Sequence, residues 1–165
     1  MIDVYVVKIN FPWRALCQKI LTHHHIHPHS LYKDSRGKPQ IKNQPGFISW
    51  AHSKKHVVIA FSKTHAVGAD CEDMRPIPFK AIQNRYFPDE PAITNDSDFF
   101  KKWTEKEALC KLKGTTIWRE LPMTRHGSVT HKVIGQCVFC IATHQPVPIM
   151  WVAHCEIEKW FQMNQ

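Results

Sequence analysis

Three strand-like segments crowd into residues 47–72: "FISWAHS", "HVVIAFS" and "HAVGADCE", separated only by "KK" and "KT". Runs rich in β-branched and aromatic residues, so closely spaced, read as strands; the first two pair across a short lysine-containing turn and the third follows almost at once. A sheet is therefore the one element this chain must build, and the rest has to be fitted around it. "VYVVKIN" (4–10) reads as a further strand, and "PWRALCQKILTH" (12–23) as a helix, with proline near its start and Leu16, Ile20 and Leu21 at helical spacing. Residues 28–46, rich in proline, glycine and polar side chains, read as a long loop containing "RGKPQ".

"PFKAIQNRYF" (78–87) and "NDSDFFKKWTEKEALCKLKG" (95–114) read as helices, the second with Asn95, Asp96 or Ser97 as cap and Gly114 beyond its end. Strands are expected at 127–134, 136–143 and 148–156. The order β-α-βββ-αα-βββ points to an α+β fold. Over 165 residues there is no repeat, no low-complexity linker and no boundary of an independent domain.

Alternate side chains of a strand share a face. In "VGADCE" Asp70 and Glu72 therefore point one way, while Val67, Ala69 and Cys71 point to a core. Two neighbouring carboxylates repel and raise each other's pKa unless something positive lies between them. A hard divalent cation such as Mg²⁺ resolves the conflict, and a solvent-facing strand end with two unrelated acids is the plainer alternative.

On the helix containing "WTEKEALCK", Phe99, Trp103 and Cys110 form one apolar stripe. Phe100, Glu107 and Lys111 occupy its edge, where Glu107 and Lys111 make an i, i+4 pair. Glu105 is expected to point into solvent. Three carboxylates and a lysine suit a metal-bridged phosphate, with the cation neutralising the acids and Lys111 countering charge in the transition state. Neither a Walker loop nor a GxSxG elbow is present.

The net charge of +8 favours a polyanionic partner, whether nucleic acid, phosphorylated small molecule or acidic protein. No run of eighteen apolar residues occurs, which argues against a membrane span, and the N-terminus lacks the basic and apolar regions of a secretory signal. The six cysteines are then expected as reduced thiols of a cytoplasmic protein. Cys137 and Cys140 form a CxxC near His131 and His144, but "GQCVFCIA" reads as a buried strand rather than a zinc site. "HHHIHPH" (23–29) reads as a polar loop with adventitious metal affinity.

"VGADCE" followed by "WTEKEALCKLKG" resembles the signature pair of the 4′-phosphopantetheinyl transferases, GxDxE and WxxKExxxK. "GKPQI" (37–41), "SWAHSKKHVVIAF" and "RALCQKIL" (14–21) resemble further segments of the larger, single-chain type, in the family's order. The resemblance implies two similar α/β halves related by a pseudo-twofold axis, with the cleft between them; here these are 1–65 and 66–165, one integrated unit. It implies transfer of 4′-phosphopantetheine from coenzyme A to a serine of an acidic apo carrier protein, releasing adenosine 3′,5′-bisphosphate, as in holo-[acyl-carrier-protein] synthases. Asp70, Glu72 and Glu107 would hold Mg²⁺, Glu107 would also be the base for the serine, and Lys111 would touch the pyrophosphate. Lys38, His52 and Arg14 would contact phosphates of coenzyme A. A monomer would suffice. Ser49 and Ala51 depart from the family's asparagine and serine, and Ala69 and Cys71 replace bulkier aliphatics. The alternatives are a basic nucleic-acid-binding module and a coenzyme A-binding homologue without turnover. The first lacks any RNA-binding signature, so no nucleic acid is expected, and nothing in the four site residues suggests the second.

Overall fold

The computed structural model describes residues 1–86, 88, 90–115 and 127–162. Strand β1 (Ile2–Lys8) is the spine of the first sheet, whose order is β4-β5-β1-β9 with β4 (Phe47–His52), β5 (His56–Ser62) and β9 (Ile149–Val152). β4 and β5 pair antiparallel as their spacing predicts, β5 pairs antiparallel with β1, and β9 runs parallel to β1. Helix α1 (Trp13–His23) lays Leu16, Cys17, Ile20 and Leu21 against one face of this sheet.

The second sheet has the order β6-β8-β7, from β6 (Val67–Asp73), β7 (Ser128–Ile134) and β8 (Cys137–Thr143). Val67, Ala69 and Cys71 do point into a core, where they meet Val4, Val58 and Ala60 of the first sheet. The opposite face of β6 and β8 carries α3 (Asp96–Lys113), reached through α2 (Phe79–Tyr86). The α+β class holds. Among the described residues no helix is long and apolar enough to cross a membrane.

Three expectations need correction. The stretch 28–46 is not all loop: it holds a 3-10 turn, Pro28–Ser30, and a small ladder of β2 (Leu31–Lys33) with β3 (Pro39–Ile41). The alternation that reads as a strand at 148–156 ends at Val152, and α4 (His154–Gln162) follows. There Ile157, Trp160 and Phe161 recur at helical spacing and pack on the α1 core, so the 3.6-residue period governs. Glu105, expected in solvent, is 3% exposed. The helix is covered on its outer side as well: Lys106 and Lys102 reach Glu90 at 2.7 and 2.8 Å, and Lys102 lies 3.5 Å from Glu105. A face sealed by charged pairs carries no apolar stripe, so hydrophobic periodicity does not report it. The predicted helix at 78–87 is α2, with residue 87 outside the described residues.

Candidate active site at the β6–α3 face

The site depends on how closely α3 lies on β6. A Cβ at residue 68 would strike the Ala108 carbonyl oxygen and stand 2.6 Å from the Leu112 nitrogen. Only glycine permits that approach. Gly68, Asp70 and Glu72 alternate along one face of β6, so the glycine seats the helix and the acids fall beside its Glu107 and Lys111. The ends of the helix fix its position. Asn95 accepts a hydrogen bond from the Asp98 N–H at 2.9 Å, and Gly114 closes the C-terminus in the left-handed region at φ 68°. Asp96 and Asp98 in the first turn and Lys111 and Lys113 in the last complement the helix dipole.

Asp70 is 4% exposed. Its Oδ1 accepts a hydrogen bond from Lys111 Nζ at 2.7 Å, whereas its Oδ2 is buried with no hydrogen-bond partner among the described residues. Burial pushes its pKa from 3.8 up to about 7, against the pull of Lys111 and with Glu107 and Glu72 adding to the rise. Burial works to lower the Lys111 pKa, and the Asp70 charge and hydrogen bond outweigh it and raise it. Glu107 and Lys111 do share one side of the helix, and the hydrogen bond of Lys111 runs across to the strand. Across so close an interface the lysine reaches a more buried carboxylate than the one on its own helix. Glu72 accepts from Arg75 at 3.2 Å, a contact that alternation along the strand could not reveal.

A cavity of about 270 Å³ opens here, lined by Asp70, Glu72, Glu107, Lys111, His52 and Trp50 among others. A second, of about 300 Å³, is lined by Arg36, Lys38, Ser49, Trp50 and Lys111 among others. Trp50 and Lys111 border both, so an acidic and a basic chamber meet at one lysine. Lys38 donates to the Leu112 carbonyl at 2.9 Å and Arg36 to the Gly114 carbonyl at 2.5 Å, fastening the 31–41 ladder to the end of α3. Burial lowers the Lys38 pKa, an effect that Asp34 opposes. Ser49, at the position where the family has asparagine, accepts from the Ala69 N–H at 3.0 Å and ties β4 to β6.

The structure therefore brings Asp70, Glu72, Glu107, Lys111 and His52 to one chamber and Lys38 to the next. Arg14 lines neither; its guanidinium lies 4.6 Å over the Trp13 ring, which in turn meets Trp50 at 6.1 Å. Sequence reading misses Arg36, Trp50 and Arg75. For Arg36 a signal exists, since it directly precedes the "GKP" segment.

The donor set fits Mg²⁺. Three carboxylates converge, one oxygen is buried and unsatisfied, and the chamber has room for the waters or phosphate oxygens this ion retains.

No protein-family model matches the chain. It is 32% identical over 123 residues to the 4′-phosphopantetheinyl transferase psf-1 of Bacillus pumilus, covering 63% of this chain and 51% of that protein. It is 26% identical over 148 residues to the 4′-phosphopantetheinyl transferase AcpT of Escherichia coli (strain K12), covering 81% of this chain and 76% of that protein. The chain thus spans about half the length of psf-1 and three quarters of AcpT. In these alignments, as in its ordered motifs, the chain is similar to 4′-phosphopantetheinyl transferases.

Proposed function

We propose that this protein transfers 4′-phosphopantetheine from coenzyme A to a serine hydroxyl of an apo carrier protein, as a Mg²⁺-dependent transferase of the holo-[acyl-carrier-protein] synthase type. The serine oxygen bonds to the phosphorus that carries pantetheine, the pyrophosphate P–O bond breaks, and adenosine 3′,5′-bisphosphate leaves. The observation that carries the reading is the buried, unpartnered Oδ2 of Asp70 beside Glu72 and Glu107. Mg²⁺ held by these three would supply Lewis-acid neutralisation of the pyrophosphate.

The chain's own residues divide the remaining work. Lys111, at the border of the two chambers, faces charge on the leaving group as a point charge in a partly buried setting. Glu107, half-buried on the same helix, takes the serine proton. Lys38 and Arg36 line the basic chamber and suit the phosphates on the adenosine side. His52, on the rim of the acidic chamber, is a further phosphate contact. Arg14 stands off both chambers, so it acts on coenzyme A only through the Trp13–Trp50 stack or at long range. A net charge of +8 suits an acidic carrier, with salt-dependent steering. The reading expects a cytoplasmic monomer whose two sheets, each with a helix on one face, serve as the pseudo-twofold halves around the cleft.

The test is the mass of several apo carrier proteins after incubation with the protein and coenzyme A. A gain of one phosphopantetheine is expected with Mg²⁺, and neither with chelator nor with Asp70→Ala. Carriers of unchanged mass under all conditions would sink the reading.

A further inference from the structure

On the other side of β6, facing away from α3, lies a second cluster of ligand-type side chains that the transfer reaction does not use. One nitrogen, oxygen or sulfur atom each from His56, Asp73 and Cys137 lie within 4.8 Å of one another. These residues are remote in sequence and the fold alone assembles them. Asp73 and Cys137 face each other across the β6–β8 ladder, and His56 opens β5 beside them. Directly opposed residues hold their Cβ atoms about 4.5–5.5 Å apart, so the Asp–Cys proximity is set by backbone register.

We propose that His56 Nδ1, the Asp73 carboxylate and Cys137 Sγ are three ligands of a divalent transition-metal site of the zinc class, separate from the hard-cation site at Asp70. Two atoms point to an absent ligand. Among the described residues His56 Nδ1 and Asp73 Oδ2, both buried, have no hydrogen-bond partner, and that imidazole and carboxylate lie 3.8 Å apart, too long for a hydrogen bond. The sulfur has long contacts, 3.9 Å to Ser53 Oγ and 3.9 Å to the Val138 carbonyl, and the Cys71 thiol is its hydrogen-bonding neighbour. Unsatisfied buried polar atoms are costly, and two that converge with a thiol on one point are satisfied together by one cation.

The donor chemistry selects the metal. Mg²⁺ takes oxygen donors, whereas a mixed nitrogen, oxygen and thiolate set suits zinc and its neighbours. Zinc–ligand bonds of about 2.0–2.3 Å in a tetrahedron place ligand atoms roughly 3.3–3.8 Å apart, so the cluster needs only a small contraction. The ring of His56 is held by an edge-on contact with Phe139 at 5.7 Å. His56 and Asp73 side chains are 22% and 15% exposed, which leaves the fourth position open to water. Cys71 stays outside the ligand set, its thiol directed to the His56 carbonyl at 4.0 Å. Because β5 belongs to the first sheet and β6 and β8 to the second, the ion would pin the two together at one end of their shared core. Binding releases the Cys137 thiol proton.

The experiment titrates the reduced, metal-free full chain with Co²⁺ and follows the near-ultraviolet thiolate-to-cobalt charge-transfer band. Metal held adventitiously by the histidines at 23–29 would not produce that band, since no thiolate is among them. One equivalent should develop it, Zn²⁺ should abolish it, and Mg²⁺ should not. Cys137→Ser should remove it, and His56→Gln and Asp73→Asn should each weaken Co²⁺ binding at least tenfold; Cys140→Ser, on the opposite face of β8, and Asp70→Asn should keep it. Zn²⁺ should raise the melting temperature of the wild type but not of His56→Gln. Should Cys137→Ser fail to fold, the two partly exposed variants decide the matter. Absence of the band in the wild type, or full affinity in both His56→Gln and Asp73→Asn, overturns the proposal.

Discussion

Replacing Gly68 by alanine tests whether the close seating of α3 creates the acidic chamber. The new methyl would stand 2.6 Å from the Leu112 nitrogen, where ordinary contacts begin near 3.4 Å, and closer still to the Ala108 carbonyl. Both obstacles are backbone, so no side chain can swing aside and the helix itself must retreat by roughly 0.8 Å or more. Overpacking of this kind costs about 1–3 kcal/mol, and a backbone clash belongs at the upper end. For a chain of this size about 3 kcal/mol lowers the melting temperature by roughly 6–12 °C. The same retreat lifts Lys111 off Asp70, which it now meets at 2.7 Å, and carries Glu107 with it. A displacement near 1 Å in such a site costs on the order of 100-fold in rate. Thermal melts and single-turnover transfer would be measured beside Gly135→Ala, whose site in the β7–β8 turn has φ 57° and no atom within 4 Å of an added methyl. That control should lose about 1–2 kcal/mol from its backbone conformation and keep its transfer rate. A Gly68→Ala protein that melts and transfers like the wild type would refute the seating argument.

Asp70→Asn should stabilise the metal-free protein in a pH-dependent way. A carboxyl raised from 3.8 to about 7 binds its proton more tightly folded than unfolded, so wild-type stability falls as pH rises through that window. The advantage of the variant should be small near pH 4 and grow to at most about 4 kcal/mol above 7, read as urea midpoints in chelator; a constant difference would contradict it. Glu105→Gln, a change to a buried side chain next to Lys102, should cost about 1–3 kcal/mol rather than be silent, as urea unfolding would show. Lys38→Ala should lose about 1 kcal/mol with its bond to the Leu112 carbonyl and also weaken coenzyme A binding. Unchanged affinity by calorimetry would confine Lys38 to fastening the helix.

Much of the site is legible because it is written in two local periods. Alternation puts Asp70 and Glu72 on the face opposite Ala69 and Cys71, and the helical period keeps Glu107 and Lys111 together; both hold in the structure. What periodicity cannot carry is distance between elements. The Lys111–Asp70 pair follows from a glycine-mediated approach, and the burial of Glu105 from Glu90, which covers α3 through Lys102 and Lys106. The α4 segment misleads because Trp151 and Val152 continue an apolar run into a helix whose buried side faces α1. The CxxC lies in a buried strand, as its apolar neighbours indicate. Its two cysteines fall in different cores on opposite faces of β8, and the cluster around Cys137 draws on His56 and Asp73, which no spacing rule joins to it.

The central claim is that Asp70, Glu72 and Glu107 hold one cation that joins the pyrophosphate of coenzyme A to the border at Lys111. The most direct test is calorimetric titration of coenzyme A into the wild type and into Asp70→Asn, each with Mg²⁺ and with chelator. The account predicts that Mg²⁺ tightens binding to the wild type at least tenfold and leaves the variant unchanged. Equal binding to the wild type with and without Mg²⁺, or equal enhancement in Asp70→Asn, would contradict it.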